Sequence, residues 1–137
     1  MTESATVIGV AVVYHERRVL VGTRGANLDL AGHAEFPGGQ CEGHESPSEA
    51  AVRECREETG MDVVAIRLLD ERRHLYLHGY VHIHFWLCAP RDIDRCEPER
   101  GFRWTPLNAL DQLNFPAANR RVVTLLLESS DDQLNNS

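Results

Sequence analysis

The sequence predicts a protein of the α/β (α+β) class, built as one domain over residues 1–137. Three observations predict this class: two apolar runs rich in β-branched residues near the start, a helix with clear start and stop signals in the middle, and a strand followed by helices near the end. A chain of 137 residues can bury about two-thirds of its unfolded surface in one core, so we expect no second domain.

Residues 5–14 and 17–24 are the two apolar runs, and the polar pair His15–Glu16 between them predicts a hairpin. The second run ends at Arg24, and a loop rich in Gly, Asn and Asp follows over residues 25–33. The Arg24 guanidinium is a candidate ligand for a phosphate group, and a strand-end charge in water is an equally good interpretation.

Residues 34–39 predict a short strand that runs into a turn formed by Gly38 and Gly39. Because neither glycine carries a Cβ atom, the turn can bring backbone carbonyls and amides close to a metal or a phosphate. A Gly-Gly pair alone is weak evidence. Its position just before an acidic helix strengthens the prediction of a binding site.

The sequence contains a start signal and a stop signal for the acidic helix. Ser46 is a good N-cap, Pro47 fits the first helical position, and Glu49 completes a capping box. Gly60 stands where a left-handed C-terminal cap is expected. These signals predict a helix that begins at Pro47 and ends before Gly60.

Three carboxylates of this helix share one face. At about 100° per residue, Glu54, Glu57 and Glu58 fall within an arc roughly 100° wide. A small, mostly apolar stripe adjoins them and is expected to pack inward: Ala51, Cys55 and Thr59. Arg53 and Arg56 are expected on a different side, where they offset the repulsion only partly. A hard cation such as Mg²⁺ is a natural partner for these carboxylates, and a solvated acidic face is the alternative.

The second half of the chain predicts more strands and two helices. The expected strands are 63–69, 73–77 and 80–88, with a hairpin turn at 77–80, and 102–105 after a polar loop at 91–101. The expected helices are a short one at 106–113 and an amphipathic one at 119–127. The polar tail over residues 129–137 is expected to fray.

Four histidines lie around the predicted second hairpin: His74, His78, His82 and His84. His82 and His84 share a strand face and could together bind a transition metal. Two ligands without a third do not make a metal site, and partly exposed histidines are the more common finding on sheets.

Composition narrows the possible functions. The formal charge is −7, which argues against a general binder of nucleic acid or of anionic membranes. All fourteen basic residues are Arg, a side chain suited to bidentate contacts with phosphate. The four cysteines have no CxxC spacing, and the sequence has neither a secretory signal nor a membrane-length apolar run. We therefore expect reduced thiols and a cytoplasmic protein.

The acidic helix and the glycines before it resemble the signature of the Nudix hydrolase family. Seven positions match in identity and spacing: Gly39, Glu45, Arg53, Glu54, Glu57, Glu58 and Gly60. Cys55 is a mild departure, because the family usually has a larger aliphatic residue there. The resemblance implies an α/β/α sandwich around a central mixed sheet.

The same resemblance implies a metal site and a reaction. Mg²⁺, with Mn²⁺ as a substitute, would be held by Glu54, Glu57, Glu58 and the Gly38 carbonyl. Glu45 and Arg53 would support these ligands, and the loop before residue 102 would supply one more acid, Glu99 or Glu97. The implied reaction is hydrolysis of a nucleoside triphosphate to the monophosphate and pyrophosphate, without a covalent enzyme intermediate.

The segment 115–119, FPAAN, carries a narrower resemblance, to the MutT-type branch of 8-oxo-dGTP diphosphatases. There an Asn at the start of the last helix recognises the purine edge, and Asn119 matches it; an ordinary helix N-cap is the alternative. Phe36, Gly39, Asn119 and part of the 73–86 hairpin would line the substrate pocket. Gln40 departs from this branch, which often has Lys after the paired glycines.

Three functions remain open from the sequence: sanitation of oxidised purine triphosphates, another pyrophosphohydrolase of the same family, and a nucleotide-binding module without activity. The second class includes hydrolysis of CTP, other dNTPs or dinucleoside polyphosphates. The expected partner is a small nucleotide, with no direct nucleic-acid or membrane binding. We expect a monomer or a homodimer.

Overall fold

The computed structural model describes residues 6–25, 32–76 and 79–135. These ranges contain seven strands: β1 (Thr6–His15), β2 (Arg18–Thr23), β3 (Ala34–Glu35), β4 (Gly38–Gln40), β5 (Val63–Tyr76), β6 (Gly79–Pro90) and β7 (Arg103–Pro106). They also contain the helices α1 (Pro47–Thr59), α2 (Arg120–Glu128) and α3 (Asp131–Asn135).

The strands form one mixed sheet in the order β3-β2-β1-β6-β5, with β4 also paired to β1 and β7 to β2. β1 and β6 are parallel, and the other pairs are antiparallel. α1 packs on one face of the sheet and α2 on the other. The predicted α+β class with a central mixed sheet is therefore confirmed.

Side chains alternate between two cores because successive residues of β1 point to opposite faces. Ala11 and Val13 meet Ala51 and Cys55 of α1 in one core. Val12 and Tyr14 belong to the other core, together with Val122, Val123 and Leu126 of α2. The inward stripe predicted for α1 is confirmed, since Ala51, Cys55 and Thr59 are all fully buried.

The first hairpin is confirmed, with its turn one residue later than predicted. Glu16 and Arg17 both have positive φ, 50° and 61°, which matches the right-handed twist of the paired strands.

The second hairpin differs more from its prediction than the first. β5 is one strand of 14 residues, with pairing irregularities between Ala65 and Arg67 and between Leu68 and Asp70. The predicted turn at 77–80 lies partly outside the described residues.

The predicted tail is wrong over residues 131–135. These residues form α3, whose Leu134 is 1% exposed and joins the core on the α2 side. The Tyr14 hydroxyl donates a hydrogen bond to the Asp131 carboxylate, and the Arg67 guanidinium donates one to the Gln133 carbonyl at 2.6 Å. One buried apolar side chain and these two hydrogen bonds hold a segment that is otherwise polar.

The predicted short helix at 106–113 is a 3-10 helix over Leu107–Gln112, and a second 3-10 turn, Ala117–Asn119, leads into α2. None of the helices in the described ranges is long and apolar enough to cross a bilayer.

Candidate active site

α1 begins and ends as the sequence predicts. The Ser46 hydroxyl accepts a hydrogen bond from the Glu49 amide at 3.2 Å, and the Glu49 carboxylate accepts one from the Ser46 amide at 2.8 Å. Gly60 has φ 76° and its amide donates to the Arg56 carbonyl at 2.9 Å. The reciprocal cap satisfies amides that have no partner within the helix.

Gly9 of β1 lets the start of α1 lie directly on the sheet. A methyl group at Gly9 would overlap the Pro47 carbonyl oxygen and come within 2.9 Å of the Ala51 amide nitrogen. Sequence reasoning did not single out Gly9. The available signal was a glycine inside an otherwise β-branched strand, which often marks a close backbone approach.

The segment Gly38–Gln40 is a strand rather than the predicted glycine turn. It pairs antiparallel with β1, Gly39 opposite Gly9 and Gly38 opposite Val10. Neither Gly38 nor Gly39 is among the glycines with positive φ. Glycine is needed here for space: a methyl at Gly38 would lie 2.7 Å from the Gly9 carbonyl oxygen, and one at Gly39 would overlap the Glu54 carboxylate.

The carboxylates of α1 meet β4 at these two glycines. Glu54 occupies the space beside Gly39, and the Gly38 amide donates a hydrogen bond to Glu58 Oε1 at 3.1 Å. Burial raises the pKa of Glu58 to about 7; the Gly38 N–H opposes this, and the neighbouring Glu54 and Glu35 carboxylates add to it. Negative charge is therefore costly at this point unless a cation binds. The carboxylate oxygens fit a divalent metal in chemical type.

Arg53 connects the carboxylates to the strand. Its guanidinium donates to both oxygens of Glu45, at 2.7 and 3.0 Å, and to the Gln40 carbonyl at 3.0 Å. The same group donates to Glu54 at 3.3 Å and to Glu57 at 3.2 Å. Arg53 therefore contacts two of the α1 carboxylates and the end of β4 at once, while its supporting role stays a prediction. The expectation that Arg53 lies on a different side from the carboxylates is wrong, because Arg53 and Glu57 are four residues apart and therefore share one face of the helix.

The loop before β7 closes over the C-terminal end of α1. The Glu99 amide donates to the Thr59 carbonyl at 2.8 Å, and the Arg100 guanidinium donates to the Glu57 carbonyl. A methyl at Gly60 would come within 2.9 Å of Glu99 Oε2, so the Glu99 side chain lies against the helix cap. In the described ranges no hydrogen bond or ion pair connects Glu99 with the α1 carboxylates, and its role stays a prediction.

A cleft of about 560 Å³ opens beside β4. It is lined by the four residues that the sequence predicted for substrate binding: Arg24, Phe36, Gly39 and Asn119. Gly38 also lines it, while the apolar side chains of Val81 and Ile83 come from β6. Phe36 stacks on Phe115 with ring centroids 4.9 Å apart. The cleft is large enough for a small organic ligand.

Asn119 is the residue before α2, yet its side chain makes no capping hydrogen bond. Its backbone is already helical, with φ −94° and ψ −8°, whereas a side-chain cap needs an extended backbone. The N-cap interpretation of this side chain is therefore wrong.

Glu35 is a cleft residue that sequence reasoning missed. Its carboxylate lies 3.4 Å from Arg24 Nη1, and burial raises its pKa while Arg24 lowers it. Its charge also acts on Glu58. The signal in the sequence was a carboxylate directly before Phe36, in the short strand that leads to the glycines.

Comparisons with known proteins agree with this architecture. A family model described as "NUDIX domain" matches residues 9–125. The chain is 29% identical over 126 residues to the 8-oxo-dGTP diphosphatase of Escherichia coli (strain K12), a match that covers 87% of this chain and 94% of that protein. It is 33% identical over 76 residues to the CTP pyrophosphohydrolase of the same strain, with 56% of each chain covered.

Among solved structures, the MutT protein from Methanosarcina mazei Go1 has the same fold, with a TM-score of 0.74 at 19% identity over 100% of this chain and 99% of that one. Proteins of the matched family generally need a divalent metal and act on small nucleotides. The carboxylates on α1, the glycines of β4 and the matched domain lead to one conclusion: the chain belongs to the Nudix family of hydrolases.

Proposed function

We propose that this Nudix hydrolase uses Mg²⁺ to cleave 8-oxo-dGTP to the nucleoside monophosphate and pyrophosphate. One observation carries the proposal: β4 joins the carboxylates of α1 to the cleft. Gly38 and Gly39 both line the cleft, and they contact Glu58 and Glu54 respectively. A nucleotide with its base in the cleft would therefore bring its phosphates to the carboxylates.

Glu54, Glu57, Glu58 and the Gly38 carbonyl would hold the ion, since Mg²⁺ prefers such oxygen ligands and Mn²⁺ accepts them as well. When bound, the ion would neutralise charge on the phosphates. One of the three carboxylates accepts the proton of the attacking water. Arg53 and Glu45 keep the carboxylates in place through the contacts described above, and Glu99 is proposed as a further carboxylate of the site.

Asn119 supports recognition of a base in the cleft. Its side-chain amide is not used as a helix cap and borders the cleft, so its donor and acceptor are available to a base edge. Phe36 and Phe115 together form an aromatic wall, and Phe36 borders the same space. Arg24 also lines the cleft, and a guanidinium is suited to contact a phosphate. The name of the E. coli relative gives independent support.

A second candidate substrate is CTP. The similarity to a CTP pyrophosphohydrolase favours it, and Gln40 stands where MutT-type enzymes often have Lys. A panel of 8-oxo-dGTP, dGTP, CTP and diadenosine polyphosphates, with analysis of the phosphate products, would separate the candidates. The proposal requires the highest kcat/KM for 8-oxo-dGTP, with pyrophosphate as product.

The reaction is tested by Glu57→Gln. Removing this charge is expected to lower Mg²⁺-dependent turnover by at least about 100-fold, the usual size for loss of an electrostatic catalytic group. The thermal midpoint should change little, because the Glu57 side chain is 58% exposed. Glu128→Gln, an exposed glutamate of α2, is the matched control. Turnover like that of the wild type in Glu57→Gln would exclude the proposed metal site.

The substrate is tested by Asn119→Ala. Loss of a bidentate contact with the base should cost about 1–3 kcal/mol in kcat/KM for 8-oxo-dGTP relative to dGTP. Asn108→Ala, at an exposed position of the preceding 3-10 helix, is the control. An unchanged ratio of kcat/KM for 8-oxo-dGTP to kcat/KM for dGTP would show that Asn119 does not recognise the base. It would not contradict the proposed hydrolysis reaction.

A further inference from the structure

Three side chains with metal-binding atoms converge on the β5–β6 ribbon, on the sheet face opposite to Val81 and Ile83, which line the cleft. Glu71 of β5 lies directly opposite His84 of β6 and is the diagonal neighbour of His82. Glu71 Oε1 is 3.6 Å from His82 Nε2, and Glu71 Oε2 is 3.6 Å from His84 Nδ1. One ligand atom from each residue can be chosen so that all three lie within 4.8 Å of one another.

These distances suit a shared ion better than direct hydrogen bonds. A distance of 3.6 Å is too long for a hydrogen bond between nitrogen and oxygen. Two ligands held about 2.1 Å from a tetrahedral zinc ion lie about 3.4 Å apart, which is close to the 3.6 Å between each imidazole nitrogen and a Glu71 oxygen. The imidazole rings of His82 and His84 are also in contact, with centroids 4.3 Å apart.

The cluster is accessible to solvent, and its ligand atoms suit a cation. The side chains of His84, His82 and Glu71 are 17%, 28% and 49% exposed, so an ion can enter from solvent. Burial and the neighbouring His82 lower the pKa of His84, while Glu71 raises it, and the net lowering favours the neutral ring that binds metals. Two imidazoles and one carboxylate form a donor set that suits first-row transition metals and not Mg²⁺.

The cluster is separate from the carboxylates of α1. Pairing aligns Glu71, His84, Gly9 and Gly39 in one row across β5, β6, β1 and β4. His84 and Gly39 are therefore two strands apart, about 10 Å at the usual strand spacing. The start of α1 covers Gly9 between them.

We propose that Glu71, His82 and His84 form a second metal site, which binds one divalent first-row transition ion such as Zn²⁺ and joins β5 to β6. Solvent completes the coordination on the exposed side. The site is independent of the nucleotide reaction.

The test is a titration of the metal-free protein with Zn²⁺, and separately with Co²⁺, in excess Mg²⁺ so that the carboxylates of α1 are occupied. The wild type is expected to bind one equivalent, and Co²⁺ is expected to broaden the ring signals of His82 and His84 in NMR spectra. His82→Gln and His84→Gln should weaken binding by at least about tenfold. His44→Gln, at an exposed loop histidine, should bind like the wild type.

Thermal unfolding gives a second readout, because an ion that binds only the folded state raises the midpoint. Zn²⁺ should raise it in the wild type and in His44→Gln, and less in His84→Gln. Glu71→Gln changes a half-exposed side chain and tests the site if a histidine variant fails to fold. Undiminished binding in the His82, His84 and Glu71 variants, a thiolate charge-transfer band with Co²⁺, or no bound equivalent in the wild type would overturn the proposal.

Discussion

Glu58→Gln is expected to stabilise the metal-free protein while it lowers Mg²⁺-dependent turnover by at least about 100-fold. The Glu58 carboxylate is partly buried beside two other carboxylates, and its pKa is raised from 4.5 to about 7. A glutamine has no charge to bury, and its carbonyl oxygen can still accept the hydrogen bond from the Gly38 amide. The protein therefore tolerates a destabilising charge at the position where the proposed metal binds.

The sign of the effect follows from proton binding. Because the folded pKa is raised, the folded state binds more protons than the unfolded state between about pH 4.5 and 7. Stability of the wild type therefore falls as pH rises through that window, and the loss is complete above it. A change from 4.5 to about 7 corresponds to about 3 kcal/mol. Partial exposure of the carboxylate reduces this to about 1–2 kcal/mol at pH 8.

Urea unfolding of the metal-free protein at several pH values measures this difference. Glu58→Gln should exceed the wild type by about 1–2 kcal/mol at pH 8, with a gap that closes toward pH 4.5. Excess Mg²⁺ should stabilise the wild type by about 2.7 kcal/mol at 100 times its dissociation constant, and the variant by less. Glu128→Gln controls for a change of net charge.

A Glu58→Gln protein that is no more stable than the wild type at pH 8 would refute this reasoning. A stability difference that stays constant from pH 5 to 8 would refute it as well, because titration of Glu58 would then not be its cause.

Gly39→Ala places a methyl group where the Glu54 carboxylate lies, so kcat in Mg²⁺ should fall by at least about tenfold while the thermal midpoint changes little. Arg53→Lys removes the bidentate contact with Glu45, and we expect kcat/KM to fall by at least about tenfold in steady-state assays. Leu134→Ala should cost about 2–4 kcal/mol in urea unfolding and leave kcat unchanged, because the side chain is buried in the core and does not line the cleft.

Each of these predictions has an outcome that contradicts it. Unchanged kcat in Gly39→Ala would mean that the position of Glu54 does not matter for turnover. Equal kcat/KM values for Arg53→Lys and the wild type would show that the bidentate contact between Arg53 and Glu45 does not matter for turnover. For Leu134, the control is Leu127→Ala, since Leu127 is 38% exposed. Equal losses in both leucine variants would argue against a docked α3.

Features that depend on neighbouring residues could be predicted from the sequence. The cap at Ser46, the left-handed Gly60 and the shared face of the three glutamates all lie within one helix, and the first hairpin needs only two adjacent runs. Local backbone chemistry and side-chain periodicity determine such features. Among the predicted cleft residues, Arg24 was proposed from its place at the end of the second apolar run, whereas Phe36, Gly39 and Asn119 came from resemblance to a family. The structure brings all four to one cleft.

Contacts between segments that are distant in the sequence determined the remaining features of the fold and of the site. Gly38 and Gly39 form a strand because they pair with β1. Leu134 is buried because it packs into the core on the α2 side of the sheet. Glu71 meets His84 only through the register of β5 against β6, which includes two irregularities. A shift of one residue turns every side chain of a strand to the other face of the sheet, so no local pattern specifies such a contact. The sequence alone therefore determined the acidic helix and its caps, whereas the tertiary structure determined which groups surround its carboxylates.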